Sequence, residues 1–316
     1  MMKNNTMMIR PKTLEKGDKI AIISPAGAVE EEQLRHTISL IEERGYIPVL
    51  GQNALGNYEH GYLYSGTESE RIADINRAIQ DEEIKAIWAS RGGYGCQHLL
   101  YELDIKSFQK NPKWYIGYSD NTVLQSYFFK KKIASIHGQT IKTSSFGVSE
   151  QSYAEVFNIL EGHLPAYEIE RHVLNRTGEA MGNLVGGNLA MIYALLGTRY
   201  SVKFRNNILF IEDIGENFYA LDRMLTSLEL AEVFDEISGL IIGGMINMGN
   251  EKDNPHYDES FDPKAYQLIE EKIRKYHFPV AFGFPNGHIY HNLPLIIGST
   301  VHLKVDEKVH LHTLNI

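Results

Sequence analysis

Short apolar runs alternate with segments that repeat apolar residues every three or four positions, and this alternation organises the N-terminal half of the chain. Residues 19–25, Lys-Ile-Ala-Ile-Ile-Ser-Pro, predict a short buried strand ending in a turn at Ala26-Gly27. Leu34, Ile38 and Ile41 then recur at helical spacing until Gly45 stops the helix. Residues 47–50 predict a second strand, residues 67–80 a helix carrying Ile72, Ile75 and Ile79, and residues 84–89 a third strand. A further helix is expected to begin at residues 95–103, and residues 114–118 predict a fourth strand. This β-α-β-α order predicts a parallel sheet with helices on both faces. Ligands of such sheets bind beyond the carboxyl ends of the strands, where Ser24, Arg91 and Ser119 all fall.

The pattern changes after residue 150. Residues 162–176 are polar with no helical period, and they predict a linker or the first strands of another unit. Beyond them the chain is richer in short strands, at residues 208–211, 239–243 and 279–282 and in a hairpin over 295–311. Helices are expected near residues 187–196 and 218–229. The expected division is an N-terminal α/β domain over residues 1–150, a linker over 151–178 and a C-terminal α+β domain over 179–316.

Composition narrows the partners. The formal charge of −9 argues against nucleic acid or an anionic membrane as the main partner, since both reward basic patches. One cysteine excludes an internal disulfide and a cysteine-rich zinc site. Residues 1–14 hold no continuous apolar core and no run approaches a spanning length, so a cytoplasmic protein is expected.

The most informative stretch is Gly117-Tyr118-Ser119-Asp120, where an aromatic strand meets a helix-forming segment with almost no loop. A serine on such a strand-to-helix turn is held above the sheet as a nucleophile, with backbone N–H groups aimed where an oxyanion would develop. Asn121 stands where the Gly-x-Ser-x-Gly pattern has its second glycine, and a helix cap is the alternative role for Ser119. A serine nucleophile needs a base and an orienting acid. His288, framed by Pro285 and Gly287 after a strand, is one candidate base, and His137 at another strand end is its rival. His288 and His291 lack the carboxylates that a shared metal would want. For the acid, the strand 208–211 runs into Glu212 and Asp213, of which only one can face a common site. Arg91-Gly92-Gly93-Tyr94-Gly95 follows the third strand; its glycines allow close backbone approach to a ligand, and an anion or phosphate nest is the non-enzymatic reading. Cys96 reads as a small buried residue.

Taken in order, residues 17–27, 65–71, 87–95 and 116–120, with Gly186-Gly187-Asn188-Leu189, Ile211-Glu212-Asp213, Tyr219, Asp222-Arg223, Gly287-His288, Asn292 and Pro294, resemble the muramoyltetrapeptide L,D-carboxypeptidases, a serine-peptidase family that includes the microcin C immunity peptidases. The resemblance implies a flavodoxin-like parallel-sheet N-terminal domain joined to a smaller swivelling β/β/α domain. It implies a triad of Ser119, His288 and Glu212, and an oxyanion hole from the amides of Asp120 and of Gly92 or Gly93. It also implies release of a terminal D-Ala from a murein tetrapeptide without metal or cofactor; the alternative within the family is cleavage of a peptidyl-nucleotide. Arg91, on the substrate's free carboxylate, and Tyr94 are the expected substrate contacts, with a muropeptide as ligand and a homodimer as the assembly. The chain departs from many relatives at His137-Gly138-Gln139-Thr140, where they continue with Pro and Met.

Overall fold

The computed structural model describes residues 8–250 and 263–316. The reading of residues 1–14 as free of a leader therefore falls partly outside the described residues, since residues 1–7 are not among them. Among the described residues fifteen strands follow one another: β1 (Lys19–Ile23), β2 (Ile47–Leu50), β3 (Tyr58–Glu59), β4 (Leu63–Tyr64), β5 (Ile84–Ala89), β6 (Trp114–Gly117), β7 (Ser135–His137), β8 (Ala166–Glu170), β9 (Gly178–Asn188), β10 (Ile208–Ile214), β11 (Gly239–Ile246), β12 (Val280–Phe282), β13 (Leu295–Ile297), β14 (Thr300–Val305) and β15 (Lys308–Asn315).

The first sheet has the order β13-β7-β6-β5-β1-β2, parallel except for β13. Its strands read as continuous apolar runs because both faces are covered. One face packs Ile75, Ile79, Phe108 and Phe128, and the other packs Trp88, Trp114, Tyr153 and Phe157. The second sheet has the order β12-β11-β10-β9-β14-β15-β8, parallel from β12 to β9 and antiparallel beyond. The fold is thus α/β with a parallel N-terminal sheet, as expected.

Several local expectations change. Only Cys96–Leu99 forms a 3-10 turn where a longer helix is predicted, and the α-helix follows at Ile105–Lys110. The stretch expected to be a linker opens with the helix Glu150–Leu160, whose Tyr153, Val156 and Phe157 are buried on the first sheet, and continues into β8 of the second. The predicted hairpin over 295–311 is really β14 with β15. Leu295–Ile297 instead crosses to pair with Ser135–His137. That crossing stitches the C-terminal half to the sheet that carries Ser119. Among the described residues, no helix is long and apolar enough to cross a membrane.

Candidate active site

Ser119 occupies the turn between β6 and the helix Thr122–Lys130 with φ +62°, a left-handed conformation costing about 1–3 kcal/mol for a residue with a side chain. Asn121 offsets that strain, which explains why it stands in place of a glycine. Its amide oxygen accepts from the Tyr115 hydroxyl at 2.5 Å, and its Nδ2 donates to the carbonyls of Tyr118 at 3.0 Å and Arg91 at 3.3 Å. Gly117 is required because a Cβ there would stand 2.8 Å from Asn121 Cγ. Gly92 lies against the candidate nucleophile, with an added Cβ 2.9 Å from Ser119 Oγ and 3.4 Å from the Asp120 amide nitrogen.

The candidate base–acid pair comes from the other half of the chain. His288 Nδ1 is 2.7 Å from Oε2 of Glu212, which is fully buried. Gly287, at φ +122°, admits this approach, since a Cβ would stand 2.9 Å from Glu212 Oε2. Burial pushes the Glu212 carboxyl upward, but His288, with His137 and Asn188, together hold the group below the usual range. The loop carrying His288 is tied to the first sheet by Asn292 Nδ2 donating to Gln139 Oε1 at 3.0 Å. Asp213, as alternation requires, turns away. It accepts from Asn188 Nδ2 at 2.9 Å and from the amides of Ala190 at 3.0 Å and Ile214 at 2.8 Å, so it serves the start of the helix Leu189–Leu195 as well as the end of β10. Burial and the Glu212 carboxylate push Asp213 up to about 7.

The rival base is placed differently. His137 is fully buried in β7, against the Phe210 ring, with Nδ1 3.2 Å from Gln125 Oε1. Gln125 spends its amide hydrogens on the carbonyls of Gly117 and Ile136, so its oxygen accepts and His137 Nδ1 carries the proton. Burial lowers the His137 pKa from 6.5 to about 4. The unfolded chain therefore takes up a proton near pH 6.5 that the fold refuses until about pH 4. Stability of about 3 kcal/mol, present above that window, should be lost as pH falls through it. Urea unfolding from pH 7 to pH 4 should show this slope, and His137→Asn should flatten it; an unchanged slope in the variant would assign it elsewhere.

Ser119 and His288 line one pocket of about 210 Å³, together with Tyr118, Arg91, Gly92 and Gly93. Thr140, Thr143 and Lys142 complete the wall, and Lys142 escaped sequence reasoning. Its only signal is the departure at Gln139-Thr140: the segment turns into the 3-10 helix Ile141–Phe146, and the Lys142 amide donates to the Ser90 carbonyl at 2.8 Å, beside Arg91. Arg91 donates from Nη1 to the Ala28 carbonyl at 2.8 Å. Tyr94, 42% exposed, instead joins Tyr62, Tyr64 and His98 in an aromatic cluster and is not among the residues lining this pocket. Ser24, expected in the same crevice, is buried and bonded to Ser90 Oγ and the Ala54 carbonyl.

Each glycine of the Arg91–Gly95 loop faces a protein group. Added Cβ atoms would meet Ser119 at Gly92, the Tyr62 hydroxyl at Gly93 and the Arg71 guanidinium at Gly95, so protein groups take up the space that the glycines leave. Burial raises the Cys96 thiol well above its ordinary pKa, which leaves it inert. Among the described residues, no group of three or more His, Cys, Asp or Glu could hold a metal ion.

Residues 20–138 match the LD-carboxypeptidase N-terminal domain and residues 181–303 the LD-carboxypeptidase C-terminal domain. A probable murein peptide carboxypeptidase of Bacillus subtilis is 31% identical over 95% of this chain and 92% of its own. The crystal structure of a muramoyltetrapeptide carboxypeptidase from Oxalobacter formigenes is 26% identical, with a TM-score of 0.81 over 93% of this chain and 98% of that one. The microcin C7 self-immunity protein MccF of Escherichia coli is 24% identical over 98% of this chain and 96% of its own. The wild-type apo structure of MccF shares the fold with a TM-score of 0.83 over 98% and 99% of the two chains.

Proposed function

This chain belongs to the LD-carboxypeptidase family, and from that premise we propose that it is a serine carboxypeptidase releasing a terminal D-amino acid, D-Ala, from murein tetrapeptides. One observation carries the site assignment: a serine at φ +62° shares a pocket with a histidine whose other nitrogen is 2.7 Å from a fully buried glutamate. Ser119 Oγ attacks the carbonyl carbon of the amide while His288 Nε2 takes its proton. Glu212 holds the imidazole tautomer and balances its charge. The oxyanion forms against the amides of Asp120 and of Gly92 or Gly93, which stand in place before charge develops. Collapse expels the D-amino acid, whose amine receives the proton from His288. Water, activated by the same histidine, then hydrolyses the acyl-enzyme.

Selection for a chain end rests on charge. Arg91 and Lys142 both line the pocket and none of its lining residues is acidic, although the chain as a whole carries −9. These two cations receive the terminal carboxylate as charge-assisted donors. A tetrapeptide ending in a free D-Ala should therefore be cleaved far better than the same peptide amidated at its carboxyl end, by about 2–4 kcal/mol in kcat/KM. Mass spectrometry of matched digests measures this. Equal rates on acid and amide would show an endopeptidase or a different substrate, and cleavage of a peptidyl-nucleotide in preference to both would favour an MccF-like activity. The enzyme works on a small peptide; a homodimer and a cytoplasmic setting complete the proposal and are tested by light scattering and by cell fractionation.

A further inference from the structure

Gly95 and Cys96 share one peptide group that is gripped from both ends by buried charge. Its carbonyl accepts from Arg71 Nη1 at 3.0 Å, and its N–H donates to Asp120 Oδ2 at 2.8 Å. Arg71 is 3% exposed and Asp120 2% exposed. The same guanidinium also donates to the carbonyls of Pro25 at 2.7 Å and Gly66 at 3.1 Å, and it lies 4.9 Å from the Tyr64 ring centroid. Gly95, at φ +128°, tolerates no side chain, because a Cβ would stand 2.7 Å from Arg71 Nη1. Burying a guanidinium and a carboxylate with a neutral peptide between them is a poor way to gain stability. It is a good way to hold one peptide in place.

What that peptide controls is the loop before it. Arg91 to Gly95 carries Gly92 against Ser119, and Asp120 is the residue whose backbone amide forms the other half of the proposed oxyanion hole. One residue thus offers its amide to the oxyanion and uses its side chain to anchor the opposing loop. We propose that Arg71, the Gly95–Cys96 peptide and Asp120 form a clamp that sets the separation of the two halves of the oxyanion hole. Arg71 and Asp120 are then positioning residues for the transition state, and the inference rests on the peptidase reading above. Donors displaced by a fraction of an ångström would still bind substrate but would no longer stabilise the tetrahedral anion.

The test uses the free-carboxylate tetrapeptide, a phosphonate analogue with an anionic tetrahedral centre, and a non-cleavable planar analogue. Asp120→Ala and Arg71→Met should each lower kcat by about 10²-fold with KM within about threefold of wild type. Affinity for the phosphonate should fall in step, and affinity for the planar analogue should hold. Asp120→Asn, which keeps an oxygen for the Cys96 N–H, should recover about tenfold of the lost kcat. The double variant should be within about threefold of the worse single one, because either change opens the same clamp. Parallel loss of kcat and affinity for both analogues, additive penalties, or wild-type rates in both single variants would overturn the clamp. Where circular dichroism shows that a truncated variant is unfolded, Arg71→Lys decides: kcat reduced at constant KM supports the clamp, and any other pattern overturns it. Failure of the peptidase reading would look different, since wild-type protein would then leave the tetrapeptide intact.

Discussion

Ser119→Ala is expected to reduce kcat/KM on an L,D-linked tetrapeptide by about 10⁴-fold or more while leaving the fold intact. The backbone at Ser119 sits at φ +62°, and the Asn121 side chain holds that turn through Tyr115, Tyr118 and Arg91. None of those bonds involves the serine hydroxyl. Alanine meets the same left-handed backbone with a similar Cβ, so strain should change little, and what disappears is the oxygen that would become the acyl carrier. Steady-state assay together with a thermal melt separates the two effects. Near-full turnover by a folded alanine variant would remove Ser119 from the mechanism, and with it the case for an acyl-enzyme.

Glu212→Gln should be nearly as damaging, at about 10³–10⁴-fold in kcat, with some loss of stability. The wild-type carboxylate accepts from His288 Nδ1 and so leaves the lone pair on Nε2. A glutamine amide can present its N–H to Nδ1, which forces the proton onto Nε2 and removes the lone pair that Ser119 needs. The fold holds the Glu212 carboxyl below its usual range, so losing the charge also gives up a net favourable interaction with His288, and a thermal melt reads that loss apart from kcat. Asp213→Asn should do the opposite. Its side chain accepts three hydrogen bonds around the helix Leu189–Leu195, and an amide in their place loses at least one acceptor, costing roughly 1–2 kcal/mol of stability with kcat changed only a fewfold. The reverse ranking of the two variants in kcat would exchange their roles.

Local chemistry decided much of this protein. Continuous apolar runs marked β1, β5 and β6, helical spacing marked residues 67–80, and Gly117-Tyr118-Ser119 marked the elbow, because each is encoded within one turn or one strand. Pro285 and Gly287 around His288, and paired carboxylates at the end of β10, were visible for the same reason. Alternation along β10 also separated Glu212 from Asp213, since a strand sends neighbouring side chains to opposite faces. The helix Glu150–Leu160 was within reach too, through Tyr153, Val156 and Phe157, but the polar stretch after it blurred its pattern.

Other features belong to residues far apart in the chain that only the folded packing brings together. The proposal of His288 over His137 rests on depth: one imidazole is sealed within β7 against Gln125 and Phe210, and the other stands at the pocket. Lys142 reaches the pocket because a backbone bond to Ser90 places it beside Arg91. Leu295–Ile297 reads as one arm of a hairpin until β7 supplies an open edge for it. The third glycine of the Arg91–Gly95 loop looked like an opening for ligand and proved to be an opening for Arg71. Periodicity and turn residues report what a segment can become. Which segment meets which depends on the burial of surfaces separated by a hundred residues or more, and no local pattern carries that information.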